Sequence, residues 1–216
     1  MTYSELLTHL NASGNGSDSH LYGVFVGIVT NNQDPDNLGR VKVRFPWLAD
    51  DVESTWARIA TPMAGGDRGM YFLPEVDDEV LVAFEGGLPE FPYVLGALWN
   101  GQDAPPENNE DGENNLRSIK SRSGHVIRLD DTDGSEKIEI IDSSGSNSIT
   151  LDTANNTISI VADSDITIES SNGKLILSGN GVEISSQADL TIEASQNLDI
   201  QGGPQLNIQG DMVNIN

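Results

Sequence analysis

The groups in this chain with chemical potential are mostly carboxylates. It has 34 Asp and Glu against 11 Lys and Arg, a formal charge of −23, three histidines and no cysteine. Two acidic clusters, "DPDNLG" from Asp34 and "DDTDG" from Asp130, raise the question of a cation loop. An EF-hand loop needs oxygen ligands at its first, third and fifth positions, Gly at the sixth and Glu at the twelfth. Counted from Asp34, the fifth residue is Leu38 and the twelfth Phe45. Counted from Asp131, the fifth is Ser135 and the sixth Glu136. Both clusters read instead as hairpin turns, where Asp, Asn and Gly supply the backbone conformations that a reversal needs. His9, His20 and His125 stand apart in sequence, with no Ser or Cys nucleophile motif beside them. With so many acids, carboxylate pairs arise by chance and do not point to glycoside hydrolysis. No catalytic residue, metal or cofactor is assigned, and the chain reads as a non-enzyme.

The cations offer a sharper pattern. In "NNQDPDNLGRVKVRFPW", Arg40, Lys42 and Arg44 alternate with Val41, Val43 and Phe45 directly after a polar turn. Alternation puts the apolar residues on one face of a strand and the cations on the other. Three roles are open to such a face: nucleic-acid contact on a small barrel, docking to a protein partner or neighbouring chain, or pairing with local carboxylates. The first is opposed by charge, since residues 22–100 hold twelve acidic and five basic residues and phosphate binding needs clustered cations.

These strands must be held by a fold, and the whole chain constrains it. No stretch of 18 apolar residues exists to span a bilayer. The opening "MTYSELLTHLNASGNGSDSH" lacks the basic and apolar regions of a secretory signal, so synthesis in the cytoplasm without a signal peptide is expected. A sharp break in composition falls near residue 100. All twelve aromatic residues lie at or before Trp99, eight of nine prolines at or before Pro106, and only Lys174 among the cations falls after residue 141. "NGQDAPPENNEDGENN" separates the halves and has the composition of a linker. Before it, "YGVFVGIVT", "RVKVRFPWL", "STWARIATPM", "EVLVAFEGG" and "PYVLGALW" read as short strands bounded by Gly or Pro. Five or six strands in some 80 residues suggest a small closed barrel of the OB type.

After it, the chain repeats. "NSITLDTA", "NTISIVAD", "SDITIESS", "GKLILSG", "GVEISSQ", "ADLTIEAS", "QNLDIQGG", "PQLNIQG" and "DMVNIN" each carry two apolar residues around a single intervening residue. The apolar pairs are Ile158 and Ile160, Ile166 and Ile168, Leu175 and Leu177, Val182 and Ile184, Leu190 and Ile192, Leu198 and Ile200, and Leu206 and Ile208, followed by Val213 and Ile215. From Ile158 the first members step by 8, 9, 7, 8, 8, 8 and 7 residues, so an eight-residue register slips once and recovers. Each unit presents two aliphatic side chains to one face, too little for stability alone, so neighbours must stack. Eight residues make one side of a coil, and three sides close a triangular turn, either within one chain or between three chains. The nine units give a single chain a thin interior of about three turns, which favours the three-chain version, although the single-chain solenoid stays open.

Taken together, "YGVFVGIVTNNQDPDNLGRVKVRFPWL", "GDRGMYFLPEVDDEVLVAFEGGLPEFPYVLGALWNGQDAPP" and "RSIKSRSGHVIRLDDTDGSEKIEIID" resemble the central spike proteins of contractile injection machines, namely phage baseplate assembly protein V and the spike portion of VgrG. The resemblance covers residues 22–216. It implies an all-β chain: an N-terminal arm over 1–20, an OB-fold barrel over 21–100, a linker and neck over 101–124, and an intertwined trimeric β-helix needle over 125–216. It further implies a homotrimer that caps the inner tube at the centre of a baseplate, in a virion or injection-system particle, and is driven through a target membrane when the sheath contracts.

Departures from the family shape the remaining expectations. The interval from Trp99 to His125 is too short for the lysozyme domain some relatives carry there. About 20 residues precede the barrel, so a separate hub protein is expected, with the arm (Tyr3, Leu6, Leu7, Leu10) as a candidate contact and Arg40, Lys42 and Arg44 as candidate residues for docking to the hub or a neighbouring subunit. The ending "GDMVNIN" carries no histidine tip, so a small PAAR-type tip protein is expected to cover Val213 and Ile215. A receptor- or glycan-binding β-helical fibre is the alternative function, weakened by the lack of aromatic platforms after residue 100.

Overall fold

The computed structural model describes residues 20–48 and 52–214. The arm expected over residues 1–20, apart from His20, and the tip residue Ile215 lie outside them. The chain divides into two compact units, one ending at Asp163 and the other beginning at Ser164.

The first unit opens with β1 (Val24–Asn31), β2 (Lys42–Arg44), β3 (Arg58–Ile59), a small hairpin of β4 (Ala64–Gly65) and β5 (Arg68–Gly69), then β6 (Glu79–Phe84) and β7 (Pro92–Ala97). β-branched and aromatic residues fill β1, β6 and β7, where one face of each meets the core. The main sheet runs β2-β1-β6-β7-β3, antiparallel except for the parallel β3–β7 pair. Two isolated bridges, Val41↔Ala57 and Arg44↔Glu53, carry the pairing from the β2 end back to the segment entering β3. The sheet thus curls round on itself, as an OB barrel does. Irregular register between Val29 and Asn31, and between Leu81 and Val82, marks two points where the strands bend.

The interior holds Val29, Val41, Val43, Phe45, Ala57, Val80, Val82, Phe84 and Val94, all buried. Phe25, Phe45, Trp47 and Phe84 meet in tilted ring contacts at centroid separations of 5.1 to 5.7 Å. Gly27 lets β1 and β2 approach closely: a Cβ there would lie 2.3 Å from Val43 Cγ1. The turn over "DPDNLG" uses left-handed backbone at Asn37 (φ 55°) and Gly39 (φ 68°), the residue types that tolerate it.

A second sheet follows: β8 (Leu116–Lys120), β9 (Val126–Asp130), β10 (Lys137–Ile141), β11 (Ser148–Asp152) and β12 (Thr157–Val161), paired antiparallel in chain order. The sequence units "NSITLDTA" and "NTISIVAD" therefore run in opposite directions as β11 and β12. Their turns explain this. Asp142 accepts from Asn147 and Ser144 across one reversal, and Asp152 accepts from Asn155 at the next. Such Asx-type bonds close tight hairpins.

In the second unit the chain is extended, with bends at 163–164, 171–173, 179–180, 187–188, 195–196, 203–204 and 211. The first residue of each bend, 163, 171, 179, 187, 195, 203 and 211, follows the last by eight. Among its described residues no β-ladder forms within the chain. The slip of 9 and 7 in the apolar steps has a local cause. The bend at 171–173 delays Leu175 by one residue, and the shorter stretch from Ser178 to Gly181 restores the register. As a result Ile176, at a position held elsewhere by Thr, Glu, Asp or Asn, is the most exposed of the described isoleucines of this segment, at 76%.

Candidate interaction surfaces

The basic strand is largely engaged with its own chain. Asp34 opens the β1–β2 turn, and its carboxylate accepts from the backbone N–H groups of Asp36, Leu38 and Arg40. Arg40 closes the same turn with a bidentate grip on Asp34, Nε to Oδ2 at 2.8 Å and Nη2 to Oδ1 at 2.7 Å, and it also reaches Asp36 at 2.6 Å. The Arg40 guanidinium holds the Asp34 carboxyl well below the usual carboxylate range. The Asp34 hydrogen bonds in turn raise Arg40 above its ordinary value. Lys42 reaches Glu53 at 3.2 Å. Both cations lie near the face of Trp56, at 6.0 Å for Arg40 and 5.6 Å for Lys42. Arg44 sits opposite Ile28 in the ladder and bridges Glu53 through its backbone. The structure thus gathers Arg40 and Lys42 around Trp56, with Asp34, Asp36 and Glu53 as counter-ions. The alternation exposed the cations in the sequence. Glu53 and Trp56 lie across the loop that leads toward β3, and no local spacing marks them.

The second sheet has two unlike faces. Its ladders place Ile119, Ile127, Ile140, Ile149 and Ile160 in one row across all five strands. A parallel row holds Arg117, Leu129, Ile138, Leu151 and Ile158. Every aliphatic residue of both rows is exposed. On the opposite face Ser118, Arg128, Glu139, Thr150 and Ser159 form the central row. Here the linker crosses the sheet, and Glu107 accepts from Arg128 at 2.9 Å. Glu139 is buried between Arg128, at 3.8 Å, and Lys137, at 3.1 Å. Arg122 of this sheet also pairs with Glu75 of the barrel region. The Glu107–Arg128 and Glu75–Arg122 pairs are not visible as sequence motifs, because they join residues 21 and 47 positions apart.

The expected needle core is placed as follows. Ile158 and Ile160 lie on β12, within the apolar rows. Ile166, Ile168, Leu175, Leu177, Val182, Ile184, Leu190, Ile192, Leu198, Ile200, Leu206 and Ile208 belong to the extended unit. The first member of each pair is 52–58% exposed and the second 59–65%. This regular half-coverage along the whole unit identifies one face. Val213 follows it at 47%. The barrel sheet also shows aliphatic residues outward, with Val24, Val26 and Leu95 exposed. No helix among the described residues is long and apolar enough to cross a membrane.

Comparison with known proteins bears on these surfaces. Residues 25–99 match the family described as the type VI secretion system/phage-baseplate injector OB domain. The type VI secretion system spike protein VgrG3 of Vibrio cholerae is 37% identical over 75 residues, which are 33% of this chain and 7% of that protein. VgrG5 of Pseudomonas aeruginosa is 35% identical over 114 residues, 48% of this chain and 14% of that protein. VgrG2a of the same organism is 30% identical over 125 residues, 54% of this chain and 15% of that protein. The chain thus spans less than a fifth of the length of these relatives. The all-β architecture, the curled five-stranded sheet and the family match agree: residues 25–99 match the injector OB domain of type VI secretion systems and phage baseplates, and the chain is similar to VgrG spike proteins.

Proposed function

We propose that this chain is the structural spike of a contractile injection machine. Three copies join through their repeats into a needle, cap the inner tube at the baseplate centre and pierce the target envelope on contraction. One observation carries the reading: behind an injector OB domain, a segment of some fifty residues turns every eight residues, pairs no backbone with itself among its described residues, and leaves one aliphatic face half exposed along its length. Extended backbone without partners is costly to bury, and two aliphatic side chains per unit stabilise little unless a neighbour covers them. Copies of the same chain satisfy both demands, because only a partner with the same period keeps register over seven bends. A prism whose backbone groups are all paired has no lateral edge to peel, which suits a part loaded along its axis.

In this reading the chain acts mechanically and performs no catalysis. A baseplate hub protein is the partner of the barrel, with the outward strand carrying Arg44 and the exposed Val24, Val26 and Leu95 as its contact region. A tip protein covers the end of the repeat near Val213, and the target membrane is met only transiently. The test is the solution mass by light scattering, before and after mild heating in SDS. A mass of three chains that survives the detergent supports the intertwined needle. A monomer at all concentrations would remove the needle and the piercing role with it.

A further inference from the structure

The loop between β1 and β2 does more than reverse the chain. Asn32, Gln33, Asp34, Pro35 and Asn37 line an open cleft of about 530 Å³ together with Tyr71, from the loop after β5. That size falls within the roughly 300–1,000 Å³ of small-ligand clefts. Both sides are braced. Arg40 and three backbone N–H groups hold the Asp34 carboxylate, whose side chain is 3% exposed. The Asn31 side-chain oxygen accepts from the Gln33 N–H at 2.8 Å. On the Tyr71 side, Thr61 donates to the carbonyl of Met70, and Asn32 donates to that of Pro74. These anchors pin the stretch that presents the ring before and after it. Tyr71 rests beside Gly39, where a Cβ would stand 3.5 Å from its Cε2, yet the residue is 75% exposed.

The bonding capacity left over in the cleft selects its ligand. Among the described residues no Lys or Arg lines it, so a phosphate or carboxylate would find no counter-charge. Asp34, its one ionised group, already accepts at both oxygens, so a cation would find no free carboxylate. What remains is neutral. The side-chain amides of Gln33 and Asn37 bond to nothing among the described residues, and Asn32, with an N–H spent on Pro74, keeps its amide oxygen. Amides both donate and accept, and hydroxyls do the same. A flat exposed ring beside them suits a ligand with one apolar C–H face. We infer that the cleft between the β1–β2 loop and Tyr71 binds a neutral saccharide, with the Tyr71 ring as its stacking platform and the amides of Asn32, Gln33 and Asn37 as partners of its hydroxyls. The braced loops hold these groups in place before the ligand arrives, which lowers the ordering cost of binding. With one ring and three amides beside water, the site is weak, with a Kd on the order of 1 mM for a short sugar chain. Every residue involved belongs to one copy of the barrel region, so the inference does not depend on the multi-chain needle, and it goes beyond the spike reading by giving the barrel a ligand.

The experiment is saturation-transfer NMR on the full chain. The probes are maltotetraose, cellotetraose, mannotetraose and tetra-N-acetylchitotetraose, with oligo(dT) as the charged comparison. At least one tetrasaccharide should receive saturation, most strongly at the pyranose C–H protons that meet the ring. Tyr71→Ala should weaken that binding about tenfold, whereas Tyr71→Phe keeps the platform and should bind like the parent. Asn37→Gly removes one amide and tolerates the left-handed backbone at that position, so it should weaken binding about threefold. Trp99→Ala removes an exposed ring that does not line the cleft and should change nothing. Tyr71 is exposed, so the thermal transition of Tyr71→Ala should match the parent's; should it fall, Asn37→Gly against Tyr71→Phe still decides. No saturation transfer to any tetrasaccharide at about 10 mM, tenfold above the expected Kd, would overturn the site, as would binding that Tyr71→Ala leaves intact. If oligo(dT) binds more tightly than every sugar and loses that binding in Tyr71→Ala, the ring is a platform for nucleic-acid bases and the saccharide is wrong.

Discussion

Gly27→Ala is the most direct test of how the barrel is packed. The added methyl would stand 2.3 Å from Val43 Cγ1, and 3.3 Å from both the Arg44 carbonyl oxygen and a Phe45 ring carbon. Val43 has no exposed surface and Phe45 almost none, so neither can swing into solvent. Val43 is also β-branched and stiff at χ1. Relief must come from separating β1 and β2, against the hydrogen bonds that pair Ile28 with Arg44 and Val29 with Val43. Overpacking of this kind costs about 1–3 kcal/mol. In a domain of this size each kcal/mol moves Tm by roughly 4–8 °C, so a fall of about 10 °C is expected. The assay is tryptophan fluorescence during thermal unfolding. It reports on the barrel alone, since Trp47, Trp56 and Trp99 are the only tryptophans and no aromatic residue follows Trp99. Gly101→Ala, where a Cβ meets nothing within 4 Å, is the matched control. A Gly27→Ala protein whose fluorescence transition coincides with that of the control would refute the close strand approach.

Three further outcomes follow from the charged clusters. Asp34 has a lowered folded pKa, so its contribution is present above the unfolded carboxylate value of about 3.9 and is lost as pH falls through the folded value. The urea midpoint of the barrel should hold from neutral pH down to about pH 5 and drop below about pH 4, and Asp34→Asn should lower the midpoint at neutral pH and shallow that acid dependence. Asp142, brought down to about 2 chiefly by the Asn147 amide and then by Ser144, should lose its share over the same acid range, read by exchange at the β10–β11 turn. Removing Arg128 by Arg128→Leu leaves the buried Glu139 facing Lys137 alone, a loss of about 2 kcal/mol. Hydrogen exchange should rise in β9 and β10 and also across residues 101–114, whose Glu107 loses its hold.

Most of the barrel was legible in the sequence because its strands obey local rules. β1, β6 and β7 stand where "VFVGIVT", "EVLVAF" and "PYVLGA" announce them, with apolar alternation and Gly or Pro at the ends. What stayed hidden was non-local. β3 shrinks to Arg58–Ile59 because its pairing is shared between β7 and the bridge to Val41, and the β4–β5 hairpin has no apolar alternation to betray it. For the basic strand the alternation was plain, yet the counter-ions were not: Glu53 meets Lys42 only once the barrel brings the segment before β3 back to β2. In the second half the aliphatic pairs were obvious, whereas the direction of the strands was not. Ile149 and Ile158 read as two more units of the repeat, and the turns anchored on Asp142 and Asp152 decide that they reverse instead.

Charge gives the repeat a final constraint. From Asp163 to Asn214 there are eight acidic residues and one lysine, a net of −7 per chain. Glu183 and Asp199 sit between the two members of an apolar pair and so face away from it. Copies that meet through their aliphatic faces therefore bring like-charged outer faces near each other, and the attraction of the core must exceed that repulsion. Salt changes only one side of the balance. From about 0.01 M to about 1 M ionic strength the Debye length falls from about 30 Å to about 3 Å, which removes most of the repulsion and leaves the apolar contact intact. The proposed assembly should go faster and further as salt is raised, measured by light scattering at fixed chain concentration. If ion pairs between chains held the needle, the same titration would dissolve it. Assembly that weakens with salt would therefore place the carboxylates inside the interface, and the division of the repeat into an apolar inner face and an acidic outer face would have to be abandoned.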